Sequence, residues 1–126
     1  MVIFNAVGDQ PDHPRRAATT GLEIAEFGRS LAASHPGWPM FRVGVNTGLS
    51  VLGDIGAAGR RSFASIGDTT NVAARLATVG EPGQVVVART TWEALGAAHQ
   101  GDALGPTRVK GKQAPVEAWV LRSTAG

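Results

Sequence analysis

Two polar side chains, Asn71 and Arg75, stand four residues apart in the segment Ser65-Ile66-Gly67-Asp68-Thr69-Thr70-Asn71-Val72-Ala73-Ala74-Arg75-Leu76. On a helix that spacing places both on one face. An amide and a guanidinium projecting together can hold a sugar hydroxyl and a phosphate, the guanidinium through paired hydrogen bonds. Spacing alone equally describes a capped surface helix with a solvated arginine, and on that basis the plainer description is favoured. The other polar motifs carry less. His13, His35 and His99 are isolated in loops or caps, and none pairs with another at metal-ligand spacing. Residues 105–110 superficially resemble a phosphate loop but lack the second glycine and the following Lys-Ser or Lys-Thr. Ser50 has the wrong glycine spacing for a nucleophile elbow. The sequence has no cysteine, which excludes disulfides, thiolate zinc sites and cysteine nucleophiles.

The elements that must position these residues follow from the apolar pattern. Residues 2–6 read as a strand and 8–11 as a loop. Asp12 is a suitable N-cap with Pro14 near the first turn, opening a helix to about Ser34. Its apolar residues Ala17, Ala18, Leu22, Ala25 and Leu31 recur at helical spacing, while Gly21 and Gly28 either weaken it or allow close packing. Residues 41–47 alternate as a half-buried strand does, and Gly48 breaks the pattern. Residues 49–52 and 61–66 read as two strands joined by a glycine-containing hairpin tip. Asp68 or Thr69 caps a short helix that ends near Gly80. A buried-type strand at 84–88 follows the Pro82-Gly83 turn, and Thr90 caps another short helix. Strands at about 103–109 and 116–121 complete the chain, leaving 123–126 as a frayed tail. Mixed strands and helices make the class α+β or α/β.

Composition sets the outer bounds. A 13.0 kDa chain with 43% hydrophobic residues and a mean hydropathy near zero is globular and can bury a core without staples. No apolar run approaches a membrane span, and the first five residues carry no basic signal-peptide region, so a soluble, cytoplasmic protein is expected. Net charge is +2 but the isoelectric point is about 9.9, because ten of the twelve basic residues are arginines. The basic residues fall in groups too small for a nucleic-acid tail. With four Phe, three Trp and no Tyr there is also little to stack bases on, so no nucleic-acid partner is expected.

The segment Ile66-Gly67-Asp68-Thr69-Thr70-Asn71-Val72-Ala73-Ala74-Arg75-Leu76 resembles the signature of the class III nucleotidyl cyclase catalytic domain, the adenylyl and guanylyl cyclases. Further segments match in order: Phe4-Asn5-Ala6, Pro11-Asp12-His13-Pro14-Arg15-Arg16-Ala17, Val43-Gly44-Val45-Asn46-Thr47-Gly48, Leu52-Gly53-Asp54-Ile55-Gly56, Pro82-Gly83-Gln84-Val85-Val86-Val87, and Leu104-Gly105-Pro106 with Val109-Lys110-Gly111. The similarity covers nearly the whole chain. It implies a ferredoxin-like α+β fold lacking its first strands and helices, over residues 1–122. It implies a dimer with active sites between chains, and conversion of a nucleoside triphosphate to a 3′,5′-cyclic monophosphate and pyrophosphate. For Asn71 it implies contact with the ribose or the transition state, for Arg75 stabilisation of charge on the transferring phosphate, and for Lys110 binding of the triphosphate.

The departures from the pattern are equally specific. The family binds Mg²⁺ or Mn²⁺ with two aspartates that would align upstream of Met1. Asp9, Asp12, Asp54 and Asp68 do not correspond to them, so no metal ligand is expected in this chain. The purine-reading position falls on Ala64, which has no polar group to read a base. In a ferredoxin-like sheet the first strand is central, and without it two strand edges stand unpaired. A buried unmet backbone hydrogen bond costs about 1–3 kcal/mol, which predicts self-association or strand exchange. The expectation is therefore a C-terminal part of a cyclase, inactive by itself. It would form a homodimer, or a heterodimer with a complete cyclase domain. The alternatives are a non-catalytic chain that complements such a domain in trans, or a degenerate fragment without function.

Overall fold

Val85–Ala88 is a four-residue strand buried on both faces, and the molecule is layered about it. The computed structural model describes residues 1–5, 9–48, 51–55, 62–66, 68–97 and 99–123, without the side chains of 51–55 and 62–66. The order of elements is α1 (His13–Ser34), β1 (Val43–Val45), β2 (Val51–Ile55), β3 (Ser62–Ile66), α2 (Asp68–Val79), β4 (Val85–Ala88), α3 (Arg89–Ala94), β5 (Gln100–Thr107) and β6 (Val116–Ser123). A four-stranded sheet runs β1-β4-β6-β5, with β1 parallel to β4 and the other pairs antiparallel. β2 and β3 form a separate antiparallel hairpin. The class is α+β.

Alternation along β4 splits the core in two. Val85 and Val87 join Ala18, Ala25, Val45, Leu95 and Leu121 beneath α1 and α3. Val86 and Ala88 join Val72, Leu76, Val109 and Ala118 beneath α2. A strand covered on both faces must be apolar throughout, as Val-Val-Val-Ala is. The buried stripe of α1 is made of small residues, Pro14, Ala18, Gly21, Ala25 and Gly28, which bring the helix close to the sheet. A Cβ on Gly21 would stand 3.1 Å from Val43 Cγ1, so the two helical glycines serve close packing. On the opposite face Gly44 of β1 lies directly under α2. A Cβ there would fall 2.1 Å from the Ala73 carbonyl oxygen and 2.5 Å from the Ala77 nitrogen.

Several sequence expectations are corrected. Residues 2–5 form no strand, and Ala6 lies outside the described residues. A strand needs a neighbouring edge, and this segment has none among the described residues. Met1 and Val2 are 81% and 67% exposed, and the chain turns at Asn5 (φ 65). That turn is closed by reciprocal bonds, Asn5 N–H to Gln10 Oε1 and Gln10 N–H to Asn5 Oδ1. Asp12 occupies the N-cap position of α1 but makes no capping bond, because its carboxylate accepts from Arg16 Nε at 2.8 Å. That hydrogen bond holds the Asp12 carboxyl below its ordinary value of 3.8. Its contribution to stability is therefore present at neutral pH and lost as pH falls through the lowered value. α3 begins at Arg89 with Ala88 as its cap, and the Thr90 hydroxyl is turned to Asn46 Oδ1 at 3.2 Å. β1 is shorter than the 41–47 alternation suggests, and β5 runs 100–107 rather than 103–109. β6 extends to Ser123, which pairs with Gln100, while 124–126 and the hairpin tip lie outside the described residues.

Gly44→Ala is expected to destabilise the chain by about 3 kcal/mol, the upper range for over-packing, since backbone atoms cannot yield as a side chain can. Gly37→Ala, where φ is +95 but nothing lies within 4 Å, is expected to cost about 1 kcal/mol. Urea unfolding of the two variants measures the contrast.

Candidate functional site

α2 is fixed to the sheet through Val72 and Leu76, which are 4% and 0% exposed. Asp68, Asn71 and Arg75 follow the spacing i, i+3, i+7 and so form one stripe beside that buried seam. Asn71 and Arg75 are both exposed. Among the described residues neither side chain has a hydrogen-bond or ion-pair partner, whereas Arg16, Arg29, Arg89 and Arg122 are all committed to acids. The amide and guanidinium are thus presented outward by a helix whose opposite face is packed on the sheet.

Lys110 sits on a β-turn over residues 109–112, closed by Lys112 N–H to the Val109 carbonyl at 3.1 Å. Gly111 takes φ 91 at its third position, where a left-handed backbone favours glycine. The turn is anchored at both ends to the α2 side of the sheet. Val109 is buried in the same cluster as Val72 and Leu76. Lys112 Nζ donates to Asp68 Oδ2 at 2.7 Å, at the start of α2. The two lysines of the Lys-Gly-Lys turn therefore differ in state. Lys112 is neutralised by a carboxylate, while Lys110 is exposed with no acidic partner among the described residues. Ala64 lies in β3 with its backbone paired to Gly53.

Sequence reasoning missed the groups that hold this frame. Asn46, just beyond β1, donates from Nδ2 to the Thr69 carbonyl at 3.1 Å and accepts from Thr90. Thr47 and the fully buried Thr91 share a hydroxyl bond of 2.8 Å. Asn46, Thr47 and Thr90, with Asp68, Arg89, Lys112 and Glu117, line a cleft of about 440 Å³ beside the start of α2, and Thr91 lies buried behind them. Asp68 and Lys112 are 44 positions apart, so only the fold reveals the pair.

The described residues do not fit a divalent-cation centre. Among them no three His, Asp or Glu side chains cluster. Asp12, Glu26, Asp68, Glu93, Asp102 and Glu117 each face a cation already. His35 stacks on Trp38, and His99 meets Trp92 edge to face. No described helix is long and apolar enough to cross a membrane.

The pattern of the adenylate and guanylate cyclase catalytic domain matches residues 1–123. The chain belongs to this family. It is 32% identical over 117 residues to guanylate cyclase 2D of Rattus norvegicus, covering 89% of the chain and 10% of that protein. It is 30% identical over 122 residues to an adenylate cyclase of Mycobacterium tuberculosis, covering 96% and 27%. The crystal structure of the guanylyl cyclase Cya2 superposes with a TM-score of 0.84 at 27% identity, covering 98% of this chain and 64% of that one. The guanylate cyclase domain from Catenaria anguillulae in complex with GTP shares the fold, with a TM-score of 0.83 at 23% identity over 94% and 64%. The chain thus spans a tenth to about a quarter of these curated relatives, and just under two thirds of these solved domains.

Exposed and without a partner among the described residues, Arg75 contributes little to folding. Arg75→Ala is expected to change unfolding free energy by less than about 0.5 kcal/mol, whereas Leu76→Ala, one residue away, is expected to cost about 2–5 kcal/mol. Chemical denaturation of both variants separates the presented face of α2 from the buried one.

Proposed function

We propose that this chain is the C-terminal part of a nucleotidyl cyclase catalytic domain and supplies the polar and cationic half of its active site. The observation that carries the reading is the exposed pair Asn71 and Arg75 on the outward stripe of α2, with the exposed Lys110 on a turn tied to the same helix, none of them with a side-chain partner among the described residues. In the reaction the 3′-oxygen of a nucleoside triphosphate attacks the α-phosphorus. A P–O bond forms, the bridging bond to the β-phosphate breaks, and pyrophosphate leaves. Negative charge grows on the non-bridging and leaving oxygens, where a guanidinium and an ammonium stabilise it. Asn71 orients the ribose, Arg75 takes up charge at the α-phosphate, and Lys110 holds the remaining phosphates. Ala64 supplies no hydrogen bond to a base, so purine choice between ATP and GTP is not exerted by that side chain.

Mg²⁺ or Mn²⁺ would be brought by carboxylates outside these 126 residues, and the site is completed at a dimer interface. The partner is a complete cyclase domain, or a copy of this chain within a protein that contributes the carboxylates. A purely complementing role in trans, with no activity in any assembly of this chain alone, is the second form of the same reading. It is favoured by the pairing of Asp12, Glu26, Asp68, Glu93, Asp102 and Glu117 with cations of the same chain.

The purified 126-residue chain is expected to make no detectable cyclic AMP or cyclic GMP with either metal ion. Robust turnover abolished by Arg75→Ala would overturn this. Mixed with a cyclase domain whose own Asn and Arg are disabled but whose aspartates are intact, the chain is expected to restore one of the two shared sites. In that mixture Arg75→Ala is expected to lower the rate about 30- to 1,000-fold, the loss of roughly 2–4 kcal/mol of transition-state stabilisation. Arg75→Lys is expected to recover only part of it, since a point charge cannot form the paired hydrogen bonds. Hetero-dimers that form without activity would defeat the reading and leave a degenerate fragment.

A further inference from the structure

We propose that Lys112 is a positioning residue whose pairing with Asp68 locks the Lys110 turn onto the helix that carries Asn71 and Arg75. The functional importance of this lock rests on the reading above, but its existence does not.

The three groups assigned to the nucleotide come from two elements far apart in sequence. Asn71 and Arg75 are rigidly related, because they share a helix. Lys110 is related to them only through whatever fixes its turn. Val109 holds one end by burial, but a buried valine leaves the rest of the turn free to pivot. The Lys112 ammonium closes the other end on Asp68 at 2.7 Å. Asp68 belongs to the same i, i+3, i+7 stripe as Asn71 and Arg75, so the turn is docked onto the catalytic stripe itself.

The electrostatics require both partners. The start of a helix carries partial positive charge and repels a lone ammonium. Asp68, the acidic residue in the first turn of α2, reverses that sign. Without Asp68 the Lys112 side chain has no reason to approach α2 and a reason to leave it. The pairing also keeps the two lysines apart in role. Lys112 is half-buried and neutralised, which leaves Lys110 as the cation of the turn available to phosphate. Asn46 braces the next residue from the other side of the cleft, through its bond to the Thr69 carbonyl. The first turn of α2 is thereby clamped between the end of β1 and the β5–β6 connection.

A rival role for Lys112 is direct contact with phosphate, and the two roles differ in what Asp68 does. As a clamp partner, Asp68 is needed. As a competitor for the ammonium, it is inhibitory.

The test has two arms. In the first, the isolated chain and its Asp68→Ala, Lys112→Ala and doubly substituted forms are compared by amide hydrogen exchange. The clamp predicts that each single variant lowers the protection factor of the backbone amide at position 112, taken relative to the intrinsic rate of the residue there, by about two- to fivefold, the range for an exposed ion pair, and that the double variant is no worse than either. Additive losses, or none, would overturn the lock whatever the chain's activity. In the second arm, the complementing mixture is assayed with the same variants and with the charge-swapped Asp68→Lys/Lys112→Asp form. The clamp predicts that Asp68→Ala and Lys112→Ala each raise the KM for the nucleoside triphosphate by about the same two- to fivefold, and that the swap returns it to within about 1.5-fold of the parent. A lower KM for Asp68→Ala, or a swap that rescues nothing while exchange protection is restored, would overturn the positioning role and assign Lys112 to phosphate. An inactive parent mixture defeats the proposed function, while the exchange arm still decides the lock.

Discussion

The closeness of α2 to β1 is the constraint on which the remaining geometry depends. Gly44 leaves room for the helix backbone itself, with Ala73 and Ala77 set over the strand. Because the helix sits so low, Val72 and Leu76 reach Val86 and Ala88, and the α2 side of the core closes with only short side chains. The depth of the helix also sets the level at which Asp68, Asn71 and Arg75 emerge beside the sheet. A turn carrying one buried valine and one lysine can then span from the end of β5 to the start of the helix. A helix held farther out by a β-carbon would lose both the packing and the reach.

Local features of the sequence were more legible than pairings. The Asn71–Arg75 relation needs only the helical period, so it could be read from one segment. α1 and α2 were legible for the same reason, and β4 announced itself as an apolar run flanked by Pro82-Gly83 and a polar helix. Residues 2–5 illustrate the opposite case. An apolar segment has strand character, but a strand exists only where another edge accepts it. Asn5 and Gln10 satisfy each other's backbone instead. Asp12 and Thr90 were suitable capping residues that found stronger or better-placed partners in Arg16 and Asn46. At the site, residue identity marked Lys110 only through the family pattern. Nothing in Lys-Gly-Lys distinguishes the first lysine from the second until Asp68 is seen against Lys112.

Family membership and the state of this chain answer different questions. The first rests on a pattern matched along residues 1–123 and on a shared fold. The second rests on which charges are spent internally. The described carboxylates named at the site are used to hold arginines or Lys112, whereas Arg75 and Lys110 are left outward.

β4 gives the molecule a further property. Its odd-numbered side chains pack beneath α1 and its even-numbered ones beneath α2, so one stretch of backbone is shared by two cores. Packed interiors transmit displacement rather than absorb it. Alterations of volume under α1, at Ala18 or Ala25 for instance, press on Val85 and Val87 and reach Val86 through the same four peptide units. α2 is thus mechanically coupled, through the sheet, to a helix on its opposite face. A change of volume in the α1 layer is therefore a change of load on the far side of the sheet.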